Sequence, residues 1–439
     1  MEKVKIIGGG LAGVEAAWQL AKRKITVEIY EMRPQVMTPV HKTEYLAELV
    51  CSNSFKSTEI TNASGLLKEE MKRLDSLVLK VAEETKVPAG VALAVDRELF
   101  AKRVQQILME NPYVTIIREE VKKIPSEGIV IVATGPLTSS DFAQYLTEIL
   151  DADSLYFYDA VSPIIYADSI NFEKVYSASR YGKGDEAYLN CPLNEEEYKR
   201  FVNELINADV VESHFPGEEK YFEGCLPIEI LARRGIDTLR YGPMKPVGLP
   251  DPKTGKESYA VVQLRPENIQ KTLYSMVGFQ TRLKYQEQRR VFRLIPGLEN
   301  AEFARYGVMH RNTYFYAPKF LKPTLQFLKD ERIFFAGQII GVEGYMESAS
   351  MGIIAGINAA RLYKGKPLII LPHTTMIGAL IGYVTTKVPI KNFQPMNANF
   401  GILTPLEMPV KDRKMRNRLY AERALRDLED MIRRFAINI

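Results

Sequence analysis

The stretch Val4-Lys5-Ile6-Ile7-Gly8-Gly9-Gly10-Leu11-Ala12-Gly13 decides the fold, because an apolar run passes without a break into G-x-G-x-x-G and then into a helical pattern. Val4–Ile7 carries the β-branched content of a strand. From about Leu11 to Arg23, the residues Ala12, Ala16, Ala17, Leu20 and Ala21 fall at helical spacing and make a narrow, closely packing face. A second strand, Thr26–Tyr30, ends at the acidic Glu31. Six-residue glycine patterns are common, and this one gains its meaning from that context. A strand before it, a helix after it and an acid closing the next strand together form a dinucleotide-binding fingerprint. In that reading Gly8 permits the tight turn, Gly10 lets a pyrophosphate approach the backbone and Gly13 lets helix and strand pack closely. Gly9, Leu11 and Ala12 complete the turn, whose unpaired N–H groups lie at the positive end of a helix. Glu31 is expected to accept hydrogen bonds from both hydroxyls of an adenosine ribose, which favours an unphosphorylated ribose.

Working outward, the chain continues with a helix over Arg97–Glu110 and strands over Val114–Ile117 and Ile129–Ala133, the last ending in Thr134-Gly135-Pro136. From about Leu137 to Asn300 the alternation weakens. The pattern returns in the apolar strand Arg332–Ala336, followed by Gly337, the glycine-rich Gly341-Val342-Glu343-Gly344 and a helix from Tyr345 to Tyr363. The prediction is an α/β chain with a Rossmann-type domain assembled from residues 1–136 and 301–439, carrying an inserted α+β domain over 137–300. Two features favour FAD over NAD as the dinucleotide. One is the strand that runs into Ala133-Thr134-Gly135. The other is the second helix N-terminus after Gly337, whose dipole would favour negative charge on a reduced isoalloxazine. No second G-x-G-x-x-G is present, which argues against a separate NAD(P)H-binding domain.

The 439 residues, 46% hydrophobic and 26% charged, suffice for two or three domains with a sizeable core. No apolar run reaches the roughly 18 residues needed to span a bilayer, and no stretch resembles a secretory signal. A cytoplasmic protein with no membrane contact is therefore expected. The three cysteines form no C-x-x-C pair, and four histidines with no clustered ligand spacing give no reason to expect a metal. Of the cysteines, Cys191 reads as an ordinary buried thiol, and His310 reads as structural. The formal charge of +4 does not identify a nucleic-acid binder, so any RNA contact must come from local clusters. Three are candidates: Arg233, Arg234, Arg240 and Lys245; Arg282, Lys284, Arg289, Arg290 and Arg293; and Lys411, Arg413, Lys414, Arg416 and Arg418. The last lies on an amphipathic helix over Lys411–Arg434, which also reads as a surface helix packed on the body.

Four segments carry a further signal: Ile6-Ile-Gly-Gly-Gly-Leu-Ala-Gly13, Glu48-Leu-Val-Cys51-Ser-Asn-Ser-Phe55, Glu223-Gly-Cys225-Leu-Pro227 and Phe335-Ala-Gly-Gln-Ile-Ile-Gly-Val-Glu-Gly-Tyr345. Together they resemble the folate- and FAD-dependent tRNA (uracil-5-)-methyltransferases, over essentially the whole chain. The resemblance implies a glutathione-reductase-like FAD-binding domain. It also implies transfer of a one-carbon unit from methylenetetrahydrofolate to C5 of the T-loop uridine of tRNA, with reducing equivalents from NAD(P)H passing through FAD. The partners implied are the T-arm of tRNA, folate and NAD(P)H.

Uracil C5 is a poor nucleophile until a soft nucleophile adds to C6, and a thiolate suits that step. In family terms Cys225 and Cys51 are the candidate catalytic residues. Cys225 is the preferred nucleophile, set between Gly224 and Leu226-Pro227 with Arg233 and Arg234 soon after. Cys51, in the polar run Ser52-Asn53-Ser54, is the second candidate, with a place against the flavin as its alternative role. Gly135, Gly337 and Tyr345 join the glycine turn as cofactor-binding candidates, Tyr345 as a stacking surface for isoalloxazine or pterin. The flavin motifs alone also fit a flavin oxidoreductase or monooxygenase acting on a small molecule, and a non-catalytic module that retains FAD.

Overall fold

In the computed structural model the described residues are 3–437 except 39, 151–154, 161, 183–187, 212–225, 388 and 390–392. The opening strand Val4–Ile7 sits in the middle of a six-stranded sheet, pairing in parallel with Val27–Glu31 on one side and Val130–Val132 on the other. Val114–Arg118 extends the first side in parallel. On the other side Asp330–Phe335 pairs in parallel with Val130–Val132, and Gln326–Phe327 closes that edge in antiparallel register. Residues two hundred positions apart thus share one sheet, joined through Val130–Val132, which is buried at every position between Val4–Ile7 and Asp330–Phe335. The predicted strands and the helix Tyr345–Tyr363 fall where the apolar patterns place them.

Two helices cover one face and cross each other closely. The opening helix Leu11–Ala21 and the long helix Tyr345–Tyr363 are small-residue helices buried along most of their length. A Cβ at Gly352 would lie 2.1 Å from the carbonyl oxygen of Ala12, so only glycine allows this contact.

The second sheet is antiparallel, in the order Tyr176–Ser177, Leu189–Leu193, Ala260–Pro266, Leu273–Met276, Ile164–Tyr166, Phe303–Arg305. It has its own core, to which the helix Glu195–Asn207 contributes Tyr198, Phe201, Val202 and Leu205. Cys191 lies wholly within that core, and burial pushes its thiol pKa well up, as expected of an inert sulfur. The helix Ser140–Leu150 buries Phe142, Leu146 and Leu150 in the first core instead. A two-stranded ribbon of Leu155–Ala160 and Met309–Tyr314 brings together the segments leaving and re-entering the first sheet.

Long-range capping ties the N-terminal segment to the helix Met376–Thr385. The fully buried Glu70 accepts hydrogen bonds from the N–H groups of Met376 (2.7 Å) and Ile377 (2.9 Å). Glu70→Ala orphans both donors, and a loss of about 2–4 kcal/mol is expected in denaturant unfolding. Glu70→Gln, which retains one acceptor, costs less; equal stability of wild type and the alanine variant would contradict this role.

Candidate FAD and one-carbon transfer site

The turn Gly8–Gly10 delivers the chain from the central strand into the opening helix. A Cβ at Gly8 would sit 2.4 Å from the carbonyl oxygen of Ala133, and one at Gly13 would sit 1.9 Å from that of Gly8. Strand, turn and helix are therefore as close as backbone allows. A Cβ at Gly10 would meet no protein atom within 4 Å. That position faces a cavity of about 150 Å³, open to solvent, lined by Gly8, Gly9, Gly10, Leu11, Ala12, Glu31, Gly135, Gly337 and Tyr345, among others. One cavity thus collects every cofactor-binding candidate except Gly13, whose part is to hold the walls together.

Glu31 is buried at the end of its strand. Its Oε2 accepts the Gly9 N–H at 3.0 Å, and its Oε1 accepts the Arg33 N–H at 3.1 Å and Nε at 2.9 Å. Burial alone would raise its pKa, but the hydrogen bond and charge of Arg33 and the two backbone donors outweigh it and hold the carboxyl below its usual range. The carboxylate stays ionised, with acceptor capacity left on Oε2. Oε1 takes two donors and Oε2 one, which leaves Oε2 the more open acceptor. Arg33 in turn donates to Glu48 at 3.1 Å, which fixes the loop beneath the cavity.

The cavity passes the test for FAD: a glycine turn whose open side no side chain fills, a helix N-terminus behind it, an ionised acid beside it, and Gly337 and Tyr345 from the far end of the chain along its wall. The long helix starts at Gly344, so its own N-terminus also points at this region.

A second cavity, about 400 Å³, adjoins the first and shares Val50, Pro136, Gln338 and Tyr345 with it. Cys51 lies in its wall with Ser52, Lys56, Arg265, Ser275, Glu343 and Glu347. Here both sheets meet. Arg265, from the second sheet, is buried and donates to Asn53 Oδ1 and Ser52 Oγ, each at 2.8 Å. Arg97 donates to the carbonyl oxygens of Leu49 (2.6 Å) and Cys51 (3.3 Å) and to Glu267 Oε2 (2.7 Å). Arg305 donates to the Val50 carbonyl at 2.8 Å. Three arginines therefore clamp the Cys51 loop, and two of them, Arg97 and Arg305, interact electrostatically with Cys51. Cations beside a thiol favour its nucleophilic form.

The Cys51 N–H donates to Tyr345 Oη at 2.7 Å, and the Tyr345 ring stands edge-on to Phe55 at 6.0 Å. Burial, and then the neighbouring Cys51, push the Tyr345 pKa well up, so the phenol stays neutral. Tyr345 thus links the two cavities. Tyr345→Phe leaves Cys51 N–H without its acceptor, an expected loss of about 1–3 kcal/mol of stability. Tyr345→Ala is expected also to shift the flavin absorption envelope; an unchanged envelope would place the ring away from the isoalloxazine.

Cys225 lies outside the described residues, as does Gly224 before it. The His310 side chain is likewise outside them. Sequence reading missed Arg33, Arg97, Arg265 and Glu267. Only Arg33 had a local signal, two residues after the terminal acid; the others act across 46 to 213 positions. Among the described residues no helix is long and apolar enough to cross a membrane.

Fold and cavity together define a flavoprotein with a Rossmann-type FAD-binding domain. Residues 3–367 match the family model described as glucose inhibited division protein A. The chain is 87% identical over 439 residues, all of both chains, to the methylenetetrahydrofolate–tRNA-(uracil-5-)-methyltransferase of Dictyoglomus thermophilum. It is 55% identical to the protein of that name from Anoxybacillus flavithermus, covering 98% of this chain and 100% of the relative. The chain belongs to this methyltransferase family. Among solved structures it resembles GidA of Aquifex aeolicus, with a TM-score of 0.71 at 20% identity over 98% of this chain and 73% of that one, a likeness of fold.

Proposed function

We propose that this chain transfers a one-carbon unit from methylenetetrahydrofolate to C5 of the T-loop uridine in the T-arm of tRNA and reduces it to methyl. The observation that carries this reading is the shared wall: a cavity lined by Cys51 opens directly beside the FAD cradle, with Tyr345 common to both. Relatives at 55–87% identity bear the methyltransferase name, which favours this function over a small-molecule flavin oxidoreductase. FAD bound in the first cavity supplies hydride transfer, and NAD(P)H from solution replenishes it.

The residues of the chain do the rest. A cysteine thiolate, Cys225 in our assignment, adds to uracil C6 and places negative charge on O4, so that C5 becomes nucleophilic toward the folate-borne carbon. Loss of the C5 proton then expels tetrahydrofolate and leaves an exocyclic methylene on the base; a hydride, which FAD bound in the first cavity would supply, turns that carbon into methyl, and the thiolate leaves C6. Cys51 acts beside the flavin, held by Arg97 and Tyr345. Gly8, Gly9, Gly10, Leu11 and Ala12 hold the pyrophosphate, Glu31 the adenosine ribose, and Gly135 and Gly337 the flavin half. The working division is 1–136 with 301–439 for FAD and 137–300 for the insertion that covers the second cavity. Two elements cross these bounds: Ser140–Leu150, within 137–300, packs in the core of the first sheet, and Phe303–Arg305, beyond 300, pairs in the second sheet. Such an enzyme meets its tRNA in the cytoplasm.

The test uses the purified FAD-loaded chain, an unmodified tRNA transcript, NAD(P)H and methylenetetrahydrofolate labelled in the methylene carbon. Label is expected in 5-methyluridine at the T-loop position. Oxidation of NAD(P)H with no label in RNA would return the small-molecule oxidoreductase as the better reading.

A further inference from the structure

We propose that the first turns of the helix Arg413–Phe435, with Lys56 at the lip of the second cavity, hold the sugar-phosphate backbone of the tRNA whose uridine enters that cavity. This rests on the function proposed above and adds the surface on which the RNA lies.

The three basic clusters differ in how their charges are used. In the cluster around residue 290, Arg290 is bound by Glu204 and Glu287, Lys284 lies 3.4 Å from Asp209, and Arg293 donates to the Ala301 carbonyl at 2.9 Å. In the cluster around residue 240, Arg240 pairs with Asp237 at 3.0 Å and stacks 3.6 Å over the ring of Tyr259. Arg240, Lys284, Arg290 and Arg293 are thus already engaged by groups of the chain itself. Lys411, Arg413, Lys414 and Arg416 are exposed, and among the described residues no carboxylate lies within ion-pair distance of them. The ion pairs within that helix begin only further along, with Arg418–Glu422, Arg426–Asp427 and Arg433–Asp430. The nearest acid in sequence, Asp412, is engaged as the helix cap, accepting from the Met415 N–H at 2.6 Å.

These charges also work against the helix that carries them. Its first turn holds no acid, and cations there face the positive end of the helix dipole. Folding gains nothing from that placement, whereas a polyanion lying across it neutralises the repulsion.

Position completes the argument. Asn417 Nδ2 donates to the Thr61 carbonyl at 2.9 Å, one helical turn before Ser64 in the wall of the second cavity. On the other side the ring of Tyr420 lies 5.9 Å from Phe400, three residues beyond Asn397, also in that wall. Lys56, half exposed and 3.9 Å from Glu347, lines the cavity itself. The helix is thus held, just after its cationic start, against two segments that each reach the cavity wall three residues away. An RNA held by phosphate contacts and shape, with one base extruded, needs this arrangement: a cationic shelf beside a deep pocket.

The test is the combined variant Lys411→Glu, Arg413→Glu, Lys414→Glu, Arg416→Glu in the full-length FAD-loaded protein. Acids at this helix start agree with the dipole, so unchanged FAD content and thermal midpoint are expected. The Kd for an unmodified tRNA transcript is expected to rise at least about tenfold near 0.1 M salt, with the slope of log K against log salt reduced by about 3. The turnover at saturating tRNA stays near that of wild type. If the reversal lowers FAD content, the four glutamine substitutions replace it, with the same direction expected. Wild-type affinity and salt slope in the variant would overturn the proposal. Failure of the wild type itself to bind the transcript would instead overturn the proposed function, and this surface with it.

Discussion

Gly10→Leu is expected to yield a folded, colourless protein. The added side chain starts in space that no protein atom occupies within 4 Å, so thermal stability should stay close to that of flavin-free wild type. FAD must use that same space, because its pyrophosphate reaches the helix N-terminus only over a bare backbone. Affinity for FAD should fall at least about 100-fold, or about 2.7 kcal/mol. Gly13→Val makes the contrast. Its Cβ would lie 1.9 Å from the Gly8 carbonyl oxygen, so strand and helix must separate, and both stability and FAD binding should be lost. Equilibrium FAD titration and thermal unfolding of both variants check the pair. Normal flavin content in Gly10→Leu would contradict the placement of the pyrophosphate.

The second large effect concerns the thiols. Cys225→Ala is expected to retain FAD and to lose methyl transfer by about 10³-fold or more, a barrier increase of about 4 kcal/mol. Cys51→Ala keeps the backbone N–H and carbonyl through which Tyr345 and Arg97 hold the loop, and should lower the rate less severely. Single-turnover methylation of tRNA by the two variants decides between them. Full activity in Cys225→Ala would pass the nucleophile to Cys51, which already lies in the wall of the second cavity near the half-buried Arg97 and Arg305.

The first sheet was legible in the sequence because its signals are local. Val4–Ile7, the glycine turn, Glu31 and the small-residue helix from Tyr345 each carry their own punctuation within a few residues. The second sheet was less so. Ala260–Pro266 is buried at six of its seven positions, so it shows no alternation from which a strand is read. The clamp on Cys51 had no sequence signal at all. Arg97 reaches Glu267 across 170 positions and Arg265 reaches Asn53 across 212, and no spacing rule spans such gaps. Charge counting had a similar blind spot: the three basic clusters look alike as sequence, and only their partners in the fold tell spent cations from exposed ones.

In the proposed site two distant parts of the chain close around FAD, with Glu31 and the backbone at Gly10 on its adenosine half. Titration of flavin-stripped full-length protein with FAD and, separately, with FMN tests this most directly, since FMN lacks the adenosine half. One FAD should bind per chain, and FMN should bind at least about 100-fold more weakly. No uptake of FAD, or FMN binding as tightly as FAD, would contradict the account.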